Sequence, residues 1–315
     1  MNKQLVVVAL GGNAILQPGQ KGTFEEQYEN VKTTCAQLAK MVLSDNYKLV
    51  ITHGNGPQVG NLLLQNDIAK DTIPPMPLDV CGAQSQGFIG YMMQQTLNNH
   101  FIEAGQENIP VATVVTQVVV DPNDPAFDEP SKPVGAFYSE AEAKQLETEK
   151  GFVMKEDAGR GWRRVVPSPQ PLGIYEQDVV NHLLAARDVV ITSGGGGIPV
   201  MKQGKQLLGV EAVIDKDRSG KVLAEGVGAD VLMILTDVSA VKINYGKPDE
   251  QDLNQVTVSE AEQLISEGHF AAGSMGPKVE ACVSYAKKGK RAVIASLYEA
   301  LEALEGKAGT TFLPD

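Results

Sequence analysis

Short apolar runs alternate with amphipathic stretches along this chain, and that rhythm sets its fold class. Leu5–Leu10 is an unbroken apolar run of strand length, and Gly11-Gly12 ends it. Thr23 and Glu26 form a capping-box pattern, after which Val31, Cys35, Leu38 and Val42 recur on one helical face. Lys48–Thr52 reads as the next strand, Pro57–Asp67 as a helix, and Asp79–His100 as a longer helix with Val80, Phe88, Tyr91 and Leu97 as apolar positions. Val111–Val119, rich in β-branched residues, reads as a strand that closes this half. Further on, the pattern predicts a helix over Tyr175–Arg187 and strands at Asp188–Thr192 and Val231–Thr236. Helices at Ser259–Glu267 and Met275–Lys288 and a strand at Arg291–Ser296 complete it. Continuous apolar strands alternating with one-sided helices predict an α/β fold, a mainly parallel sheet sandwiched by helices.

The rhythm breaks once. Between Asp121 and Pro171 fall seven of the chain's 17 prolines, a short helix capped by Ser139 and the basic cluster Arg160-Gly-Trp-Arg-Arg164. This stretch reads as an inserted, protruding subdomain or lid. A boundary near Met201–Leu208 divides the chain into two expected lobes, 1–205 (with the insertion at about 121–171) and 206–315.

A length of 315 residues accommodates two lobes around a sizeable core, and 43% hydrophobic with 21% charged residues is ordinary for a globular chain. The 27 basic against 39 acidic residues give −12, and the pI is about 4.9, which speaks against a nucleic-acid or anionic-membrane surface. A small anionic substrate is still compatible, because a local lysine cluster outweighs distant charges screened over about 8–10 Å. Cys35, Cys81 and Cys282 are far apart and odd in number, and the four histidines form no HExxH, so neither a disulfide framework nor a zinc site is expected. Leu5–Leu10 is too short for a signal peptide, and no run approaches the ~20 residues of a membrane span. A cytoplasmic location is the expectation.

Candidate chemistry gathers where apolar runs end. Ala9-Leu-Gly-Gly-Asn13, Thr52-His-Gly-Asn-Gly-Pro-Gln-Val-Gly60 and Thr192-Ser-Gly-Gly-Gly-Gly-Ile-Pro199 each follow a strand. In a parallel sheet such turns lie at the carboxyl ends of strands, where glycine lets backbone N–H groups approach a phosphate or another oxyanion. One such turn reads most simply as a tight turn; three at equivalent positions point to a ligand. Neither GxxxxGK[ST] nor a strand-following GxGxxG occurs, which demotes P-loop and Rossmann readings. Glu211-Ala-Val-Ile-Asp-Lys-Asp217 presents Asp215 and Lys216 beyond a short apolar stretch. Gly273-Ser-Met-Gly-Pro-Lys278 sets Lys278 in the first turn of a helix. A lysine there opposes the helix dipole, and a bound anion supplies the reason for it. Lys132, between prolines in Glu129-Pro-Ser-Lys-Pro-Val-Gly135, sits on the lid; a plain exposed lysine is the alternative. His53 reads as a structural hydrogen-bonder, and Asp237 and Tyr245 as further strand-end positions.

Together these segments resemble the carbamate kinase branch of the amino acid kinase family. The matching stretches are Ala9–Ala14, His53–Gly60, Lys132–Gly135, Lys155–Trp162, Gly194–Pro199, Glu211–Asp217, Asn244–Pro248 and Gly273–Lys278, in family order over nearly the whole chain. The Lys132-Pro-Val-Gly135 insertion separates this branch from acetylglutamate, aspartate and uridylate kinases. The resemblance implies an open sheet of about eight strands, a homodimer, and Mg²⁺-dependent reversible phosphoryl transfer between ATP and carbamate, giving ADP and carbamoyl phosphate. It suggests use of that reaction for ATP synthesis in arginine fermentation.

By carry-over, Gly11, Gly12, Asn13, Gly54 and Asn55 line the carbamate and phosphoryl site, with Lys132 reaching in from the lid. Lys216 and Lys278 contact the transferring phosphate, and Asp215 holds the two lysines in place. Asp237, Tyr245 and Met275 lie nearer the nucleotide, and Mg²⁺ is held mainly by nucleotide phosphates. Two other readings stay open: a related kinase acting on a carboxylate such as acetylglutamate, and a nucleotide-binding regulator without turnover.

Overall fold

A computed structural model describes residues 3–157, 159–186, 188–270 and 275–315. Its centre is an eight-stranded sheet of β1 (Gln4–Leu10), β2 (Tyr47–His53), β3 (Val111–Thr113), β4 (Val189–Ile191), β5 (Val231–Thr236), β6 (Gln255–Thr257), β7 (Arg291–Ser296) and β8 (Thr310–Leu313). Across the sheet the order is β6-β8-β7-β5-β1-β2-β4-β3. Every pair is parallel except β7–β8. Strands before residue 205 thus form one half of the sheet and strands after it the other, joined where Val6–Leu10 pair with Val231–Leu235.

The apolar runs are continuous because both faces of this sheet are covered. From β1, Val6, Val8 and Leu10 enter one core with α1 (Phe24–Leu43) and α3 (Leu78–Glu103). Val7 and Ala9 enter the other, with α5 (Gln177–Ala186), α6 (Lys216–Val227), α7 (Val258–Ser266) and α8 (Met275–Ala286). Alternation along an extended strand sends successive side chains to opposite faces. α1 starts at the expected capping box, with Thr23 and Glu26 each accepting from the other's backbone N–H.

The insertion carries its own three-stranded antiparallel sheet, Lys132–Tyr138, Trp162–Val166 and Val153–Glu156, with α4 (Glu140–Lys150). It rests on α2 (Gly56–Ala69), where Gly60 and Gly135 pass so closely that a Cβ on Gly60 would lie 3.5 Å from the Gly135 backbone.

One expectation needs correction, one boundary can be placed, and one helix is added. Val111–Val119 is two strands in two sheets, Val111–Thr113 at the edge of the main sheet and Gln117–Val120 in a separate four-stranded one. The chain bends between them at Thr116, whose hydroxyl is buried against Thr192 and the Ser193 N–H. The expected boundary near Met201–Leu208 falls on a hairpin, Ile198–Gln203 with Gln206–Gly209. The helix that follows Asp215 went unpredicted.

Candidate active site

The carboxyl ends of β5, β1, β2 and β4 lie side by side, and the turns leaving them form the floor of the site. Gly11–Asn13 leave β1, Gly54 and Asn55 leave β2, Gly194–Gly197 follow β4, and Asp237 follows β5. The chain builds outward from β1 in one direction with β2, β4 and β3, then in the other with β5. The crevice at such a switch point is where open α/β sheets take ligands.

Two clefts occupy it. One, of ≈ 490 Å³, lies between the β1 turn (Gly11, Gly12, Asn13) and the end of β5 (Thr236, Asp237), with Tyr298 on its far side. The other, of ≈ 280 Å³, lies under the lid among Gly54, Asn55, Lys132, Gly195, Asp215 and Asp217. Gly12, Lys216 and Lys278 line both, so the two clefts share a cationic wall. The first turns of α2, α6 and α8 also border the smaller cleft, through Pro57, Lys216 and Pro277. Three helix amino ends and three lysines facing one small volume make a site for an anion.

A carboxylate that the sequence did not single out holds that wall. Asp217, 3% exposed, accepts from Lys216 Nζ through Oδ1 at 2.5 Å and from Lys278 Nζ through Oδ2 at 3.2 Å. The part expected of Asp215 therefore falls to Asp217. Asp215 instead caps α6, its Oδ1 accepting from the Asp217 and Arg218 N–H groups, while its Oδ2 takes Lys132 Nζ at 2.9 Å. Asp217 lay inside the Asp-Lys-Asp motif; the missing signal was the helix, without which its direction was unreadable.

Burial pushes the Asp215 carboxyl up, but the Lys132 charge and hydrogen bond, the Arg218 N–H and the Lys216 charge outweigh it and leave its pKa at about 2. His53 goes the other way from its solution value. Complete burial lowers its pKa to about 4 despite the Nδ1–H bond to the Gly54 carbonyl, so the ring is neutral near pH 7, as a structural hydrogen-bonder should be.

The four-glycine turn works mainly by close packing. A Cβ on Gly195 would lie 2.2 Å from Asn55 Nδ2, and one on Gly197 2.1 Å from Val118 Cγ2, both at positive φ. Of the four, Gly195 is the one that lines the smaller cleft. Asn55 is held from the other side by donating to Ser85 Oγ at 2.8 Å.

Other expected residues divide. Asn13 Nδ2 donates to Asp237 Oδ2 at 3.1 Å, linking the turns after β1 and β5 in the larger cleft. Tyr245 is 74% exposed, in the loop between strands Val241–Ile243 and Gln251–Leu253, and lines neither cleft. Met275 opens α8 and packs against the core on that face of the sheet. Gly273 and Ser274 of the last motif lie outside the described residues.

This sheet, with its paired clefts and their lysine wall, defines the class. The chain belongs to the amino acid kinase family, whose sequence profile matches residues 4–296, and it is a phosphotransferase. Within that family it is similar, over nearly its whole length, to carbamate kinases. That of Thermococcus kodakarensis is 59% identical over 308 residues, 97% of this chain and 98% of the relative. That of Pyrococcus horikoshii is 55% identical over 312 residues, 98% and 99%. The structure of carbamate kinase from Giardia lamblia bound to AMP-PNP matches with a TM-score of 0.93 at 49% identity, over 99% of each chain.

Proposed function

We propose that this chain is a carbamate kinase, moving a phosphoryl group reversibly between ATP and carbamate to give ADP and carbamoyl phosphate. The observation that carries the reading is the Lys216–Asp217–Lys278 bridge in the wall between a larger and a smaller cleft. A group passing from one ligand to the other crosses that wall. We assign the larger cleft, on the side of residues 206–315, to the nucleotide and the smaller one, under the lid of the 1–205 lobe, to carbamate.

In the forward direction a carbamate oxygen forms the new bond to the γ-phosphorus as the bond to the ADP oxygen breaks. Carbamate is already anionic, so no proton is removed and no general base is required. A neutral, buried His53 is consistent with this. What remains is positioning and charge stabilisation, which Lys216, Lys278 and the Gly11-Gly12 and Gly54-Asn55 turns supply. Lys132 closes over carbamate from the lid. Magnesium fits the donor set. Asp237 is a cleft carboxylate whose described hydrogen bonds come from the Asn13 amide and the Thr236 hydroxyl rather than from a lysine, and nucleotide phosphates would provide the other oxygens. Bound there, the ion would neutralise phosphate charge.

The deciding experiment is phosphorylation of ADP by carbamoyl phosphate, run beside ATP-dependent phosphorylation of acetylglutamate. Turnover of the first without the second is expected; the reverse overturns the reading, and nucleotide binding with neither would make the chain a regulator. We further propose a cytoplasmic homodimer that makes ATP in arginine fermentation, a role testable by whether deletion lowers ATP yield on arginine.

A further inference from the structure

A third cavity, of ≈ 410 Å³, separates the lid from α2 and belongs to neither cleft of the site. Leu63 and Leu64 of α2, Met76 beyond it, and Val134 and Phe152 of the insertion give it apolar walls. Leu64 and Met76 are 39% and 45% exposed, so this concave face is apolar yet open. Its size falls in the ~300–1,000 Å³ range of small-molecule sites.

The charges that line it are unevenly matched. Lining it are three cations, Lys70, Lys150 and Arg164, against two carboxylates, Asp67 and Glu211. Arg164 is paired with Glu211 at 2.8 Å and lies 4.0 Å from the centre of the Phe152 ring. Lys70 and Lys150 both donate to the same oxygen, Oδ1 of Asp67. Two ammonium groups, each with three donors, thus share one carboxylate oxygen, and a second carboxylate beside them would relieve their mutual repulsion.

We infer that this cavity binds a small monoanion with an apolar body, a carboxylate on a short aromatic or branched aliphatic group. The carboxylate sits between Lys70 and Lys150, and the apolar body lies against Leu63, Leu64, Met76 and Phe152. The ligand touches the lid and α2 together. Val134, which lines this cavity and the smaller cleft alike, connects it to Lys132 two residues away. Occupancy is therefore linked to lid position and, by reciprocity, to ligand binding in the smaller cleft. The site is independent of which substrate the phosphoryl-transfer clefts accept.

The test is calorimetric titration of the full chain with 3-phenylpropanoate, and with 3-phenylpropan-1-ol as its uncharged counterpart. Expected is saturable one-to-one binding of the acid, at least tenfold weaker for the alcohol and at least tenfold weaker for Lys70→Gln. Lys70 stands outside the phosphoryl-transfer clefts, so this variant should keep wild-type turnover. Absence of saturable binding, or equal affinity for the alcohol or in Lys70→Gln, overturns the assignment.

Discussion

Lys132 of the lid meets Asp215, the cap of α6, at 2.9 Å. The lid's lysine is thus anchored to the helix that carries Lys216, and the capping carboxylate serves two purposes. Asp215→Asn keeps a competent cap and loses the ion pair, whereas Asp215→Ala loses both and should be about 1 kcal/mol less stable than the asparagine variant. Because the Asp215 pKa is lowered to about 2 from 3.8, its contribution is present above about pH 4 and fades as pH falls through 2. Urea unfolding of wild type and Asp215→Asn should differ by about 2 kcal/mol at pH 6 and converge near pH 2. A difference that persists at pH 2 would rule out the ion pair as its source.

Lys216→Ala or Lys278→Ala should lower kcat for carbamoyl-phosphate-dependent ADP phosphorylation by on the order of 10²–10³, comparable to losing one preorganised donor. Asp217→Asn should lower it by on the order of 10² while leaving both lysines in place, because their positions are then no longer fixed by one buried carboxylate. Under the proposed mechanism the two lysines act on the same phosphoryl group, so the double alanine variant should lose less than the product of the single losses. Turnover within threefold of wild type in any single variant removes that residue from the mechanism.

The glycines of the turns around the site separate into two kinds. Gly197→Ala forces a Cβ to within 2.1 Å of Val118 at φ +87° and should cost about 3 kcal/mol or more. A Cβ on Gly12 meets nothing within 4 Å, so Gly12→Ala should fold with an unchanged Tm yet lose turnover, because it adds a methyl group at a residue that lines both clefts. Equal Tm losses in a thermal scan would refute the distinction.

His53 should make the protein acid-sensitive. Its folded pKa of about 4 lies below the solution value of 6.5, so the neutral buried ring contributes stability that is fully present above pH 6.5. That contribution, about 3 kcal/mol, is lost as pH falls from 6.5 to 4. His53→Gln should unfold with a shallower pH dependence between 6.5 and 4; an unaltered slope would assign the sensitivity to another group.

How far the sequence was legible depended on how local each determinant is. The strands around the site were readable because both faces of each are buried, which leaves uninterrupted runs such as Leu5–Leu10. α6 was not, since Lys216–Val227 carries Gly220 and Gly226 and buries only a narrow stripe, among it Leu223 and Ala224. Losing that helix lost Asp217, whose role is set by its place beside Asp215 in the first turn. The glycines of Gly194–Gly197 were read as facing a ligand, but what they mostly face, Asn55, Ile214 and Val118, is far away in sequence. Residues that meet only through the fold, such as Lys150 and Asp67, left no pattern at all.

The pairing of β1 with β5 carries a consequence for how the chain is made. Val6–Leu10 leave the ribosome well before their partners Val231–Leu235, which lie more than 200 residues further along the chain. At about 5–20 residues per second, the nascent sheet keeps an open apolar edge along β1 for ten seconds or longer. Such an edge is a template for another chain's strand. Growing chains on one message, or a helper that shields β1 until β5 arrives, would decide the yield of folded protein, so synonymous changes that slow translation between residues 60 and 230 should raise its aggregated fraction.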